Sequence, residues 1–564
     1  AYGLPFFFGD AVTTWTAVVA AVPLAWLLPN HYRPWPTAWQ DGFVLALVVI
    51  AALGHRSASR VAWPLALFVG VALVSIACQA MLGTIYFAGD AVVAVLYLAG
   101  FFVAVALGNG LAVGDRAEGL TAFCAGIVVA AVLSVGVALL QWTGGSALGI
   151  WTVDMPPGGR PYANVAQPNH FCTICLFAIA AAGVLWQQQR IGRVAFWTIA
   201  SWMVLGMVMS GSRTGWLQML LLTTIAMTLG PRQGLALGRR GALLLGLLYA
   251  AGVTGWPLLN AALRLEEGRP LVESMQAGTR TLHWAAMIDA IGRQPWWGYG
   301  WQQVGVAQVL GAEAHPFVGE SIEHSHNLVL DLLIWCGIPV GAALVAMAGW
   351  WYFSRLLRCR NATAAWLMIA VTGLSAHGMV EYPLTYAYFL VPLGIFMGAV
   401  DRIEQRSEGL RIHRNMLLGG ALAVGVLLVG VGRDYLAAEQ AHRLLRLESA
   451  RIGVAGLTTP PPDLRWLTQQ DAFLKFAQTQ ARVGMSPEEL DSMRRVSERF
   501  AYPPSMYRYA LAAGLNGQPD RARLTLVRLC RMHPIERCEE AREAWRAARA
   551  QHAELPAFEP PAPP

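Results

Sequence analysis

The segment HSHNLVLDLLIWCG, residues 324–337, sets two imidazoles and an amide directly ahead of an apolar run. Asn327 suits a helix N-cap, with the helix running from Leu328 toward Cys336 and Gly337. His326 then lies just before the helix and His324 two residues earlier. A helix start carries unpaired N–H groups and positive potential, which disfavours a second positive charge nearby. An imidazole there tends to stay neutral, and a neutral imidazole can take a proton. The same helix start would welcome an anion such as phosphate. The spacing alone fits equally a pair of interfacial, hydrogen-bonded histidines.

Three arginines, Arg160, Arg213 and Arg280, offer a complementary chemistry. A guanidinium grips two oxygens at once and never loses its charge, which suits a diphosphate; contact with lipid headgroups is the alternative. The motif QPNH supplies Gln167, Asn169 and His170 at a helix entrance, where amides position a sugar or hydroxyl, or simply cap the helix. EYPLTY supplies Glu381, Tyr382 and Tyr386 beside Pro383, which breaks or starts a helix; tyrosines there also fit an interface belt. No H-E-x-x-H or D-x-D pattern occurs, and Asp331 and Asp289 read as isolated. Charge neutralisation by arginine, with no metal and no cofactor, is therefore expected. Cys172 and Cys175 have C-x-x-C spacing but sit in an apolar stretch and read as packing residues.

The elements that must position these groups are apolar helices. The chain is 56% hydrophobic and 13% charged with a mean hydropathy of +0.45, which predicts an all-α polytopic membrane protein. About 13 spans are expected, near 6–28, 36–54, 61–81, 87–108, 118–140, 170–186, 194–210, 214–229, 241–260, 327–351, 363–380, 384–400 and 416–432. The first reads as an anchor rather than a cleaved signal. The net charge of +7 rests almost wholly on arginine, with Lys475 the lone lysine, and no basic run is interleaved with aromatics, so nucleic acid is excluded as a partner.

Every second loop is arginine-rich: GHRSASR, GDRAEG, QQQRIGR, GPRQGLALGRRG, SRLLRCRNAT and DRIEQRSEGLRIHR hold 15 arginines, against Arg33, Arg160 and Arg213 in the alternate short loops. Positive loops stay cytoplasmic, which predicts a cytoplasmic amino terminus. The segments 158–170, 210–215, 380–386 and the large loop 261–325 ending in HSHN then share the outer face, where distant helix ends can build one site. Residues 1–432 form the expected transmembrane catalytic domain. Residues 433–552 read as an amphipathic helical periplasmic domain whose last part resembles a tetratricopeptide-type hairpin, and 553–564 as a disordered Pro-rich tail.

That placement carries a redox expectation. Cys530 and Cys538 would lie about 12 Å apart in one continuous helix, at roughly 1.5 Å rise per residue. Pro534 between them favours a turn, and outside the cytoplasm thiols oxidise, so a disulfide is expected.

Together these motifs resemble the bacterial O-antigen ligase and polymerase superfamily. The run His326-Asn327 followed by Gly337 is similar to its signature, whose next small position falls on Val340, with Gly341 one later. GSR (211–213) and AGTRTLHWAAMIDAIGRQPWWGYGW (277–301) resemble its arginine motifs. PYANVAQPNH and the helical extension point to one branch, the pilin-type O-oligosaccharyltransferases.

The resemblance implies transfer of a preassembled glycan from undecaprenyl-diphosphate to a serine or threonine of a pilin-like acceptor protein, at a bacterial inner membrane. His326 would be the base and Arg213 and Arg280 would hold the diphosphate, with Arg160 in support. Gln167, Asn169, His170, Glu381, Tyr386 and His324 would orient sugar or acceptor. The same chemistry onto lipid A–core, an O-antigen polymerase, a transporter or a scaffold remain rivals at this stage.

Overall fold

The computed structural model describes residues 11–55, 58–112, 117–145, 147–156, 158–263, 280–317, 319–406, 408–449, 460–559 and 561–562. Helices dominate. The described strands are one antiparallel pair, Ser59–Val61 with Leu410–Ile412, in which Arg60 faces Arg411. Each expected span overlaps a helix. Among the described residues, seven helices are long and apolar enough to cross a membrane: Trp63–Met81, Ala88–Leu111, Glu118–Trp142, Pro168–Gln187, Gly238–Leu263, Leu328–Leu357 and Arg414–Glu448. Shorter apolar helices include Ala38–Gly54 and Arg193–Met209.

The chain divides into two compact units, one of residues 1–69, 96–276 and 347–429, the other of 70–95, 277–346 and 430–564. The cut at 429/430 falls close to the expected 432, inside the continuous helix Arg414–Ser449, and residues 70–95 and 277–346 group with the carboxy-terminal part. Backbone hydrogen bonding inside a helix is indifferent to where hydropathy changes.

In the first unit, helix Pro168–Gln187 is buried along nearly all its length. It packs on Ala117–Trp142, Arg193–Met209 and Ala362–Gly378. Small residues set the closest approaches, as expected where lipid supplies no hydrophobic drive between helices. A Cβ on Gly108 would lie 2.1 Å from the Ile395 carbonyl oxygen, and one on Gly398 would lie 2.0 Å from that of Val105. Cys172 and Cys175 are buried, unbonded packing residues, as their surroundings suggested.

In the second unit, helix Leu328–Leu357 departs from the expected continuous span. Gly337 adopts φ 73° and ψ 173°, splitting it. Pro339 cannot donate to the ladder and its ring crowds the carbonyl four residues back. The segment Pro295–Gly300 takes over: Tyr299 N–H donates to the Ile334 carbonyl (2.8 Å), Gly300 N–H to that of Trp335 (3.1 Å), and Ile338 N–H to that of Pro295 (2.7 Å). Gly341 sits close against the first half of the helix, where a Cβ would meet the Leu332 oxygen at 2.7 Å.

The carboxy-terminal part of this unit consists of helices Thr468–Gln478, Pro487–Arg499, Pro503–Leu515, Pro519–Met532 and Ile535–Gln551. Proline opens three of them, where its missing N–H costs nothing, and Ser486 with Glu489 forms a capping box. Pro503–Leu515 and Pro519–Met532 pack as a helical pair. Cys530 and Cys538 are bonded, with Cα atoms 4.7 Å apart across the Pro534 break. Within the same unit, Arg499 pairs with Asp90 at 3.0 Å and Arg528 with Glu313 at 2.9 Å.

The expectation of a disordered tail needs correction. Leu555 is buried and Phe558 stacks on the buried Trp545 at 5.0 Å between ring centroids. Proline content had suggested disorder, but the apolar side chains between the prolines find a core to join.

Candidate active site

His326 sits at φ 58°, a left-handed conformation unusual outside glycine. Holding a non-glycine residue there costs of order 1 kcal/mol or more, and such strain clusters at functional sites. The surroundings impose it. Asn327 caps helix Leu328–Leu357 as expected, its Oδ1 accepting from the N–H groups of Val329 (3.0 Å) and Leu330 (3.2 Å). Immediately before it, Ser325 is fully buried and its hydroxyl donates to Asp331 at 2.5 Å. The Ser325 N–H also donates to Asp331, at 2.8 Å. The chain therefore turns sharply at residue 326, between two fixed neighbours.

Asp331 is thus not isolated. Its second oxygen lies 3.4 Å from Nδ1 of His324, whose ring packs edge-on against Trp335. Nor is Asp289, which pairs with Arg293 at 2.7 Å and His315 at 3.0 Å. The His315 ring, followed by Arg293, holds its carboxyl below the usual range. His315 reaches Asp289, and His324 reaches Asp331, from a neighbouring loop, which one-dimensional spacing does not reveal; Arg293 lies four residues after Asp289 in the same helix, a spacing the sequence does show.

Arg280 opens helix Arg280–Arg293. Trp284, four residues on and so on the same helical face, donates its indole N–H to the Ser325 carbonyl at 2.9 Å. Arg280 therefore shares the face that braces the histidine loop. The neighbouring His283 is buried and pairs with Glu320 at 2.7 Å.

The first unit gathers the remaining expected residues. Gln167 caps helix Pro168–Gln187, its side-chain oxygen accepting from the N–H groups of Asn169 and, at 3.0 Å, His170. Asn169 ties three distant segments together. Its Oδ1 accepts from the Ser212 hydroxyl at 2.7 Å, and its Nδ2 donates to Glu381 at 3.0 Å. Arg160 donates to the Gly211 carbonyl at 3.0 Å, in the same turn from which Arg213 opens helix Arg213–Thr228. The segments 158–170, 210–215 and 380–386 thus meet, as the sequence suggested, through one amide.

His170 is only 2% exposed. Its Nδ1 lies 2.9 Å from the Tyr388 hydroxyl and its ring packs edge-on against Tyr386 at 4.8 Å. The sequence had suggested contact with sugar or acceptor; its geometry is that of a support for Tyr386. On the other side stands Asp41, buried on helix Ala38–Gly54 and overlooked in the sequence. Its Oδ1 accepts from the N–H groups of Ala387 (2.7 Å) and Tyr388 (3.3 Å), and its Oδ2 from the Thr37 hydroxyl (2.6 Å). An anion at a helix start is favourable, and this one fixes the start of Ala387–Ile403, where Tyr386 is the N-cap residue. A carboxylate in an apolar span was the available signal. His377 was also missed; it is buried, with Nδ1 2.8 Å from the Thr173 hydroxyl, to which Gln218 donates at 2.8 Å.

Among the described residues, no group of three or more His, Cys, Asp or Glu side chains is placed to hold a metal ion.

Three segments of the chain match known families. Residues 198–345 match the family described as O-Antigen ligase. Residues 161–186 match Protein glycosylation ligase, and residues 363–551 match Virulence factor membrane-bound polymerase, C-terminal. The general O-oligosaccharyltransferase of Acinetobacter baylyi is 26% identical over 532 residues, 92% of each chain. The ComP-specific O-oligosaccharyltransferase of the same organism is 26% identical over 245 residues, 43% of this chain and 44% of that one.

Proposed function

We infer that this chain, a member of the O-antigen ligase superfamily resembling the pilin-type O-oligosaccharyltransferases, transfers a preassembled glycan from a polyprenyl-diphosphate carrier to a serine or threonine of an acceptor protein. The observation that carries this reading is the strained backbone of His326 beside the Asn327-capped helix. As the acceptor oxygen bonds to the anomeric carbon and the bond to phosphate breaks, the hydroxyl proton passes to the His326 imidazole. The departing diphosphate is stabilised by Arg213 and Arg280, with Arg160 in support. His324, Asn169, Glu381 and Tyr386 orient sugar or acceptor, and Gln167 and His170 keep them in place. Arginine supplies the countercharge, so the reaction proceeds without a divalent ion.

The setting is the bacterial inner membrane, with the site and the carboxy-terminal helices on the periplasmic side and undecaprenyl-diphosphate as the carrier. The arginine bias of alternate loops and the bond between Cys530 and Cys538 support this orientation.

Purified full-length chain incubated with lipid-linked glycan and a pilin should yield glycosylated pilin by mass spectrometry, in the presence of EDTA. His326→Ala should lower turnover roughly 10²–10⁴-fold with the fold intact. Near wild-type turnover of that variant would remove His326 from the role of base. The O-Antigen ligase match favours a second reading, transfer to lipid A–core. Glycosylated lipid A–core with unmodified pilin, in the same assay, would select it.

A further inference from the structure

Helices Ala117–Trp142 and Arg193–Met209 pack side by side in the first unit and leave an open groove of about 890 Å³. That lies within the roughly 300–1,000 Å³ of small-molecule sites. Trp197, Thr198, Ser201 and Trp202 line it from one face of the second helix, three and four residues apart. The small Thr198 and Ser201 are exposed and fall between the two indoles, so this face is hollow in the middle and raised at each end. Both indoles are held. The Trp202 N–H donates to the Val132 carbonyl at 3.2 Å, and Trp197 packs edge-on against the buried Phe196 at 5.7 Å between ring centroids. The hollow is therefore part of the packing.

Its mouth is charged. Arg193, which also lines the groove, is exposed at the start of the helix. It belongs to QQQRIGR, one of the arginine-rich loops on the side proposed above as cytoplasmic. Arg239 and Arg240 are exposed and immediately precede Gly241, where a Cβ would lie 3.5 Å from the Trp197 ring. Glu118 is already paired with Arg190, at 3.7 Å. The mouth thus carries surplus positive charge, and the interior is apolar apart from two hydroxyls. Ser201 lies about 12 Å along the helix from Arg193, at roughly 1.5 Å per residue, so the groove runs from charge into hydrocarbon. We propose that it binds an anionic phospholipid of the bilayer, with an acyl chain over Thr198 and Ser201 between the indoles and the phosphodiester on Arg193. A zwitterionic lipid or a polyprenyl chain could fill the hollow, but neither answers the surplus charge. This inference stands apart from the transferase reading.

Native mass spectrometry of the purified full-length protein tests it, with dioleoylphosphatidylglycerol and dioleoylphosphatidylcholine titrated separately. The wild type should bind the anionic lipid more tightly. Arg193→Gln should weaken that binding about fivefold, as expected for one basic residue at an anionic headgroup, and leave the zwitterionic lipid unchanged. Arg402→Gln, which removes an exposed arginine outside the groove, should change neither. Ser201→Trp, which fills the hollow from an exposed position, should abolish the tight anionic-lipid site with Arg193 still present. Equal affinity of the wild type for the two lipids, undiminished binding in Arg193→Gln, or the same loss in Arg402→Gln as in Arg193→Gln would each overturn the proposal. Retention of the tight site in a folded Ser201→Trp protein would do so as well. Should Ser201→Trp not fold, the two arginine variants, both changed at exposed positions, decide the matter.

Discussion

Gly298 and Gly337 meet backbone to backbone: a Cβ on Gly298 would lie 2.5 Å from the Gly337 nitrogen, and one on Gly337 would lie 2.5 Å from the Trp296 carbonyl oxygen. Both have positive φ, 67° and 73°. The contact joins PWWGYG to the helix after HSHN: each leaves open backbone groups that the other pairs.

Gly337→Ala should therefore be far more damaging than a typical surface change. The ψ of 173° at positive φ is a region open essentially only to glycine. Occupying it costs about 1–3 kcal/mol before the clash with Trp296 is added. A drop of several degrees in the thermal midpoint of the detergent-solubilised protein is expected. An unchanged midpoint would show that the docked loop adds nothing to stability.

Arg280→Lys should be nearly as damaging to transfer as Arg280→Ala, because a point charge does not reproduce a bidentate fork. Steady-state kinetics on the lipid-linked donor would read this directly. Full rescue by lysine would argue for general electrostatics in place of a diphosphate grip.

Asp41→Ala should destabilise the first unit more than Asp41→Asn. Alanine leaves the N–H groups of Ala387 and Tyr388 and the Thr37 hydroxyl without their acceptor. Each unsatisfied buried group costs about 1–3 kcal/mol, whereas asparagine keeps one accepting oxygen. Hydrogen exchange at Ala387 and Tyr388 should accelerate in the alanine variant and less so in the asparagine one. Equal protection in both would remove Asp41 from this role.

Acid should loosen the carboxy-terminal helices through His533. Burial lowers its pKa to about 4 from the ordinary 6.5. The unfolded chain thus binds a proton that the folded chain refuses. Stability from this group is whole above pH 6.5, falls as pH drops from 6.5 to 4, and is lost below that, a loss of roughly 3 kcal/mol at 1.36 kcal/mol per unit. Hydrogen exchange in helix Pro519–Met532 should rise across that window in wild type and stay flatter in His533→Gln. Parallel profiles in the two proteins would assign the acid response elsewhere.

Local chemistry was legible in the sequence and long-range chemistry was not. The Asn327 cap and the break at Pro534 depend on a few adjacent residues, and apolar length marks a span whatever surrounds it. The interruption at Gly337 needs residues 295–300 to dock, and a helix pattern says nothing about a docking partner. Asp331 read as isolated because its partners come from the loop before the helix that bears it. Gln167 was ambiguous between cap and sugar contact, since one amide oxygen suits both, and its geometry is a cap. Phe558 was lost in proline composition, although an aromatic side chain needs only one complementary face, here Trp545, to be held.

The bonds of Asn169 to Ser212 and Glu381 bear on how such chains can be recombined. A chimera that imports residues 158–170 from a relative, and nothing else, pairs a foreign amide with the resident hydroxyl and carboxylate. The three segments form one inherited block despite the long stretches of sequence between them. Swapping them singly should yield inactive hybrids even when every piece comes from a working parent, and altered selectivity should be sought by exchanging all three at once.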